Sequence, residues 1–254
     1  MPLKSLSLIL YAAYHSLQPC ETVFQETARA ANPSVNFKEE QPYLEEFAKA
    51  ACKTTNPDVL WLIAQQESNF RFTIVRANGP EPRLYRGKEA VNFLKTLRSA
   101  PEDSRPNVDI GVLQFNWGWH KDGFQSDAQA ALSPKKQVDY FLKRFGNEIY
   151  RRCEDQWVGC YHNQTNQERA SRYQSAVLKK GKTLALHSLY WLRNYRKQLS
   201  ESERQVLPTV KKDDFYRIFE TAQGFPLPRR HIFHFVDDGV PQNQDPLQDI
   251  NFES

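Results

Sequence analysis

The chain has 254 residues, enough to bury one sizeable core or one core with an appendage. Its composition is that of a globular protein, with 40% hydrophobic and 25% charged residues. The net charge of +4 is mild and the basic residues are spread along the chain, which disfavours a nucleic-acid-binding protein. No apolar run is long enough to span a membrane as a helix.

The N-terminus has the pattern of a secretory leader. Lys4 precedes a short apolar run that ends near Tyr14. An ordinary amphipathic helix is the alternative, because no small-residue cleavage site follows closely. We expect residues 1–20 to be a leader segment and the protein to be exported.

Four cysteines occur, at positions 20, 52, 153 and 160, without a Cys-x-x-Cys pair that would indicate a zinc or thioredoxin-like site. An even number in an exported protein indicates disulfides. If residues 153–161 form one helix, Cys153 and Cys160 lie about 10 Å apart along its axis, too far to bond each other. Cys52 is therefore predicted to bond one of them. The alternative is four free thiols in a cytosolic core.

Residues 21–42 are polar and contain Pro33 and Pro42, so we predict an irregular segment. A helix is predicted over 43–55, and a second one begins at Asn56, a good N-cap, with Pro57 at its first position. One face of this second helix carries residues at i, i+3, i+4 and i+7: Leu60, Ile63, Ala64 and Glu67.

Glu67 is thus a carboxylate on an apolar stripe. Burial would raise its pKa above the reference of about 4.3, as a general acid near neutral pH requires. The alternative is a glutamate at the exposed end of the helix that pairs with Arg71 or Arg76.

A hairpin is predicted next, with strands at 72–75 and 83–85 on either side of Asn78-Gly79-Pro80. Later helices are predicted over 88–97, over 134–145, around Cys153 to Tyr161, and over 167–199 with a break near Gly181. The tail after Asp237 is acidic and amide-rich, and is predicted to be disordered.

Residues 108–120 are rich in aromatic and amide side chains and contain two glycines. Aromatic rings stack on sugar faces, amides bond hydroxyl groups, and glycine lets a ligand approach the backbone. This composition favours a saccharide cleft. A buried strand and turn is the alternative.

Three motifs follow one another along the chain. The first is Gln-Glu-Ser-Asn-Phe at 66–70, and the second is Asp-Ile-Gly-Val-Leu-Gln-Phe-Asn at 109–116. The third is Tyr-His-Asn-Gln-Thr at 161–165, followed by Tyr173 and Val177. Together they resemble the motifs of lytic transglycosylases of the lysozyme-like superfamily. The likeness is greatest to the small specialised members that accompany secretion, conjugation and pilus systems.

The resemblance covers residues 43–180. The family's motifs read Glu-Ser-x-Phe with the catalytic acid, Asp-x-Gly-Leu-Met-Gln-x-Asn and, in one variant, Tyr-His-Ser-x-Thr-Pro. In this chain Leu113 stands in place of Met, Asn163 in place of Ser, and Asn166 in place of Pro. His162 occupies a position that is more usually Asn.

The resemblance implies a mainly α, lysozyme-like helical core with a small β-hairpin over residues 21–180. Residues 181–254 would form a helical C-terminal extension with an acidic tail. It also implies a periplasmic enzyme whose partners are peptidoglycan glycan strands and components of a secretion or conjugation apparatus. No metal or cofactor is implied, and the His231-x-x-His234 pair is weak evidence for a metal site.

By the same resemblance, Glu67 protonates the leaving oxygen and then acts as base on the 6-hydroxyl of the muramoyl sugar, which closes a 1,6-anhydro ring. Tyr161 is expected to orient Glu67, and Ser68 to support the turn after it. The predicted substrate-binding residues are Ser68, Phe70, Asp109, Gly111, Gln114, Asn116, Tyr161, His162 and Asn163.

Three alternatives remain at this stage. If Asp109 positions a water, the protein is a hydrolase of goose-lysozyme type, although a loop cap or ion pair is the plainer reading of this residue. A non-catalytic peptidoglycan-binding scaffold would use the same fold and could dock partners through residues 181–254. A cytosolic helical adaptor would require free thiols and no glycan binding.

Overall fold

The computed structural model describes residues 20–54, 57–79, 81–99, 107–145, 157–177, 179–181 and 184. Over these residues the chain is mainly helical with a small antiparallel sheet, which confirms the predicted fold class at that level. The predicted leader up to residue 19, the predicted loop after Pro101 and nearly all of the predicted C-terminal extension, including its histidine pair and tail, lie outside the described residues. In the described part, no helix is long and apolar enough to cross a membrane.

The elements follow the order helices, hairpin, helix, strands, helices. The helices are α1 Cys20–Ala31, α2 Phe37–Ala51, α3 Pro57–Glu67, α4 Gly87–Ser99, α5 Trp117–His120, α6 Pro134–Phe145, α7 Trp157–His162 and α8 at 167–177. The strands are β1 Ile74–Asn78, β2 Arg83–Arg86, β3 Asn107–Ile110 and β4 Phe115–Asn116. The predicted hairpin and the helices at 43–55, 56–67, 88–97 and 134–145 are confirmed, and their ends differ from the prediction by at most six residues.

The prediction that residues 21–42 are irregular is wrong, because α1 and the first part of α2 occupy them. Helix α1 is polar on average, but Val23, Phe24 and Ala28 form a narrow apolar stripe that is buried. Pro42 lies inside α2, where a proline costs about 3 kcal/mol. Burial of the α2 side chains against the core outweighs this cost.

A disulfide joins Cys20, the first residue of α1, to Cys52, the residue after α2, with 5.8 Å between their Cα atoms. The prediction that Cys52 bonds Cys153 or Cys160 is therefore wrong, and so is the alternative of four free thiols. Cys160 is also disulfide-bonded, whereas Cys153 lies outside the described residues. The prediction failed because residues 21–42 were expected to be irregular. Only the antiparallel pairing of α1 and α2 brings Cys20 and Cys52 together.

The four strands form one antiparallel sheet in the order β2-β1-β3-β4. Side chains alternate between its faces, and directly opposed residues share a face. The register places the apolar side chains Val75, Val108, Ile110 and Phe115 on the core side. The other side, here called the polar sheet face, carries the buried Ile74 at one end and otherwise Arg76, Asn78, Leu84, Arg86, Asn107, Asp109 and Asn116.

Helix α3 lies at the centre of the core, since every residue from Pro57 to Gln65 is buried. Trp61 packs edge-on against Phe70 with ring centroids 5.1 Å apart, and its indole N–H donates to Thr27 Oγ1 at 3.1 Å. The buried indole thus has its hydrogen bond satisfied by α1. Because α3 is enclosed along its length, its last residue, Glu67, is held in a fixed place.

The Cys20–Cys52 bond closes a segment of 32 residues. Replacing both cysteines with serine should lower the free energy of unfolding by about 2–4 kcal/mol, because the unfolded chain regains the entropy of this segment. The urea midpoint of the double variant against the oxidised parent measures the effect. An unchanged midpoint would contradict it.

Candidate active site

The chain reverses direction directly after Glu67. Asn69 and Phe70 both adopt left-handed backbone conformations, with φ of 52° and 57°. The Ser68 hydroxyl donates to the Ala64 carbonyl at 3.1 Å, which agrees with its expected role in supporting the turn. A bulky residue in this conformation is strained. Burial of the Phe70 ring against Trp61 offsets that strain.

A network of amide side chains links this turn to Asn32, the residue that follows α1. Gln65 donates through its Nε2 to Asn69 Oδ1 at 3.1 Å and to Asn32 Oδ1 at 3.0 Å. Asn32 in turn donates to Gln65 Oε1 at 2.6 Å. Asn32 and Gln65 are both buried, so these bonds are shielded from water and hold the turn at the end of α3.

Glu67 carries a strongly perturbed carboxyl. The residue as a whole is only partly buried, but desolvation of its carboxyl raises the pKa to about 7, and the negative charge of Asp109 acts in the same direction. A hydrogen bond donated by the Tyr173 hydroxyl to Glu67 Oε1 and the positive charge of Arg76 lower the pKa. The carboxyl is therefore close to half-protonated at neutral pH, as the sequence predicted for a buried acid.

The alternative ion pair with Arg71 or Arg76 is not formed. Among the described residues no cation lies within salt-bridge distance of Glu67. Arg71 instead donates to the Ser68 carbonyl, at a long 3.5 Å, and Arg76 acts on Glu67 only as a nearby charge.

The tyrosine that contacts Glu67 is Tyr173, not the predicted Tyr161. The Tyr161 hydroxyl donates to the Leu113 carbonyl, and its ring packs against Phe145 at 5.1 Å. Tyr161 thereby ties α7 to the turn at 111–114. Tyr173 lies on the buried stripe of α8 with Ala170 and Val177. A tyrosine on such a stripe needs a hydrogen-bond acceptor, and this requirement could have singled it out.

His162 and Asn163, the next two residues of the third motif, make different contacts. The exposed His162 stacks on the Tyr173 ring at 4.4 Å with an interplanar angle of 3°. Asn163 Oδ1 accepts from the backbone N–H groups of Thr165 and Asn166, at 3.1 and 2.8 Å. Its oxygen therefore stabilises the turn into α8 and is not directed at a ligand. Asn166 then accepts from Arg169 N at 2.9 Å, as an N-cap does.

The second motif forms a turn held by one buried side chain. Gly111 has a φ of +75°, and a Cβ there would come within 1.7 Å of Gln137 Nε2, so only glycine fits. Gln137 is fully buried in α6 and accepts from Leu113 N at 2.8 Å. It also donates to the Ile110 carbonyl at 3.0 Å and to the Ala131 carbonyl.

Asp109 lies on β3 and is held by two amides, so it is neither a loop cap nor a member of an ion pair in the described structure. Asn78 donates to its Oδ2 at 2.7 Å, and Asn116 donates to its Oδ1 at 2.8 Å. Asn116 donates to Asn107 Oδ1 as well, at 2.6 Å. The three strands are thus linked across the polar sheet face next to Glu67.

Two buried acceptors in this region have no hydrogen-bond donor among the described residues: Gln114 Oε1 and Asn116 Oδ1. The amide nitrogen of Gln114 is already used, because it donates to the Gly111 carbonyl at 2.7 Å. Buried polar atoms are nearly always paired. Both oxygens therefore lack the hydrogen bond that a buried acceptor normally has within the described residues.

Trp119 is 86% exposed, whereas Trp117, two residues earlier, is buried. Both lie on the short helix α5, which follows Asn116 directly. The exposed indole of Trp119, three residues after Asn116, offers a flat apolar surface. Such a surface suits the apolar face of a sugar.

Across the part of the chain that is described, no group of three or more His, Cys, Asp and Glu side chains could hold a metal ion. His120 forms no such group: it shares a hydrogen bond of 2.9 Å with the Tyr140 hydroxyl. Burial lowers the pKa of His120 to about 4, so it is neutral at physiological pH.

Comparison with protein-family models, with curated proteins and with solved structures finds no match. The resemblance to lytic transglycosylases stays a prediction that is carried by its three motifs. The structure brings residues of all three motifs into one region, since charges at Asp109 and Glu67 act on Tyr161, and the charge at Asp109 acts on His162.

Replacing Tyr173 with phenylalanine should raise the pKa of Glu67. The hydrogen bond from the Tyr173 hydroxyl stabilises the ionised carboxylate, and the variant lacks it. Carboxyl ¹³C NMR titration of Glu67 measures the change. Tyr161→Phe is the matched control, since its hydroxyl bonds a backbone carbonyl. An equal or larger shift in the control would contradict the assignment of Tyr173.

Ionisation of Glu67 should reduce folding stability. Its folded pKa is about 7 against an ordinary value of 4.5, so the folded state keeps a proton that the unfolded state releases between these values. Stability contributed by this group is complete at low pH and is lost as the pH rises through that window. Glu67→Gln should therefore be more stable than the parent at about pH 8, by about 1–3 kcal/mol, and about equally stable at about pH 4.

Urea unfolding of both proteins at the two pH values tests this prediction. Asp58, whose pKa burial also raises to about 7, is present in both proteins and cancels from the comparison. The same stability difference at both pH values would contradict the prediction.

Proposed function

We propose that the protein is a lytic transglycosylase that cleaves the glycan strands of peptidoglycan. The observation that carries the proposal is the desolvated Glu67 carboxyl, with a pKa of about 7, which receives a hydrogen bond from Tyr173 at the end of a buried helix. A group at this pKa can donate and accept a proton at neutral pH with similar ease. The three motifs and the unpaired amide oxygens support the same assignment.

The proposed reaction uses Glu67 twice. The protonated carboxyl gives its proton to the glycosidic oxygen as the bond to C1 of the muramoyl sugar breaks. The resulting carboxylate then takes the proton of the 6-hydroxyl while that oxygen bonds to C1. The product is a 1,6-anhydro sugar, and no water is consumed. The hydrogen bond from Tyr173 stabilises the carboxylate between the two steps.

Gln114 and Asn116 supply the substrate contacts in this proposal. Their unpaired oxygens accept only, so they suit the N–H of an acetamido group or a sugar hydroxyl. Trp119 offers its exposed ring to the face of a sugar. These groups bind and orient the strand, whereas Glu67 performs the proton transfers.

The setting of Asp109 favours the single-carboxylate reaction over the hydrolase of goose-lysozyme type. Hydrolases that use two carboxylates need the second one as a base or a nucleophile. Both oxygens of Asp109 already accept amide hydrogen bonds, from Asn78 and Asn116. Asp109 would thus raise the pKa of Glu67 through its charge, and hold Asn116 in place.

The proposed location is the periplasm, where the glycan strands are found. The Cys20–Cys52 disulfide supports an oxidising compartment. We also propose that the protein serves a secretion or conjugation apparatus. This part of the proposal rests on the three motifs alone.

The test is mass spectrometry of purified peptidoglycan after digestion by the parent protein and by Glu67→Gln. The parent should release anhydro-muropeptides, which are lighter than reducing-end products by one water. The variant should lose about 10²- to 10⁴-fold in rate, because it cannot transfer a proton. Glu89→Gln, an exposed glutamate of α4, is the matched control and should keep parental activity.

Each other result has a definite meaning. Reducing-end products from the parent would replace the transglycosylase with a hydrolase. A Glu67→Gln variant that still clears the substrate would remove Glu67 from its role. Binding to glycan without any products from the parent would identify a non-catalytic scaffold.

A further inference from the structure

The polar sheet face continues past the Glu67 region to the outer strand. In the register of the sheet, Asp109 on β3 lies opposite Arg76 on β1, and Arg76 lies opposite Leu84 on β2. Arg86 lies two residues from Leu84 and therefore shares this face. The surface next to Asn116 thus extends across β3 and β1 to β2, with the buried Ile74 opposite Arg86 on the same face.

This outer part of the face carries two positively charged side chains. Arg76 and Arg86 are exposed and form no salt bridge within the described part of the chain. The charge of Arg76 acts on Glu67, which places it beside the candidate acid. By contrast, Arg83 on the opposite face lies 3.7 Å from Glu81.

A third arginine adds to the same charge. Burial lowers the pKa of Arg71, and the positive charge of Arg86 lowers it further, so the two guanidinium groups act on each other. The acid whose charge acts on Arg71 is Glu40, and its carboxylate already accepts from Phe72 N and Thr73 Oγ1, each at 3.1 Å. The arginines therefore have capacity for an external anion.

The outer face also has an apolar component. Leu84 is 42% exposed and lies directly across from Arg76. A surface that combines arginines with one exposed aliphatic side chain matches a short peptide with carboxylate groups and small apolar side chains. Arginine binds carboxylates with two parallel hydrogen bonds, which makes it suited to this ligand.

We propose that Arg76, Leu84 and Arg86 form a subsite for a carboxylate-bearing peptide arm attached to the glycan strand. This inference rests on the proposed function and assigns the peptide arm of that substrate to a defined part of the sheet. The strand binds along Gln114 and Asn116, and its peptide arm crosses β1 towards β2.

The test compares two arginine variants in the Glu67→Gln background, where no substrate is consumed. Arg86→Gln removes a charge from the proposed subsite without touching Glu67. Arg83→Gln removes the same charge from the same strand, but from the other face. The probes are soluble glycan strands with peptide arms, and the same strands after an amidase has removed the arms. Binding is measured by isothermal titration calorimetry.

Arg86→Gln should weaken binding of the peptide-bearing strand by about two- to fivefold relative to Arg83→Gln, the size expected of an exposed ion pair. The difference between the variants should be smaller on the arm-free strand, and should shrink as salt is raised. Equal losses in the two variants would mean that only net charge matters, and would overturn the subsite. An equal loss on both strands would overturn it as well.

The two proposals can fail separately. If the parent protein releases anhydro products but Arg86→Gln behaves like Arg83→Gln, only the subsite is wrong. If neither strand binds, both the subsite and the proposed glycan substrate are wrong.

Discussion

The candidate site depends on one carboxyl group, which is held at the end of a helix that is buried along nearly its whole length. Placing Glu67 there costs folding free energy, because burial disfavours its charged form. A residue on the surface would keep an ordinary pKa and a mobile side chain. The enclosed helix α3 fixes the backbone of Glu67, and the Tyr173 hydroxyl fixes its carboxyl. The protein thus loses some folding free energy at this position, and in return its Glu67 carboxyl titrates near neutral pH.

Amide side chains hold the turns and the strand residues around this carboxyl in place. Asn32 and Gln65 hold the left-handed turn that follows it. Gln137 holds the turn of the second motif, and Asn116 holds Asp109. Amides suit this task because they donate and accept hydrogen bonds without carrying charge. They shape the site while leaving its electrostatics to Glu67, Asp109 and the nearby arginines.

Much of the fold could be predicted from periodicity, because α3, α4 and α6 carry strong apolar stripes and the hairpin has turn residues. Helix α1 was missed because Pro33 and Pro42 favoured an irregular segment, although its apolar stripe is comparable with that of α4. The Cys20–Cys52 bond was missed with it, since the pairing depends on that helix. At the site, Glu67 and the second motif could be located from local pattern. The Tyr173 contact and the face shared by Arg76, Leu84 and Arg86 depend on long-range packing and strand register, which local pattern does not encode.

The raised pKa of Glu67 has a consequence for repeated action along a polymer. Under the proposed mechanism, the proton given to the leaving oxygen is replaced by the proton of the 6-hydroxyl, so each cleavage ends with Glu67 protonated again. The site therefore returns to its starting state without drawing a proton from bulk water. A long strand could stay bound between successive cuts, and the enclosure of the carboxyl would not slow the next cycle.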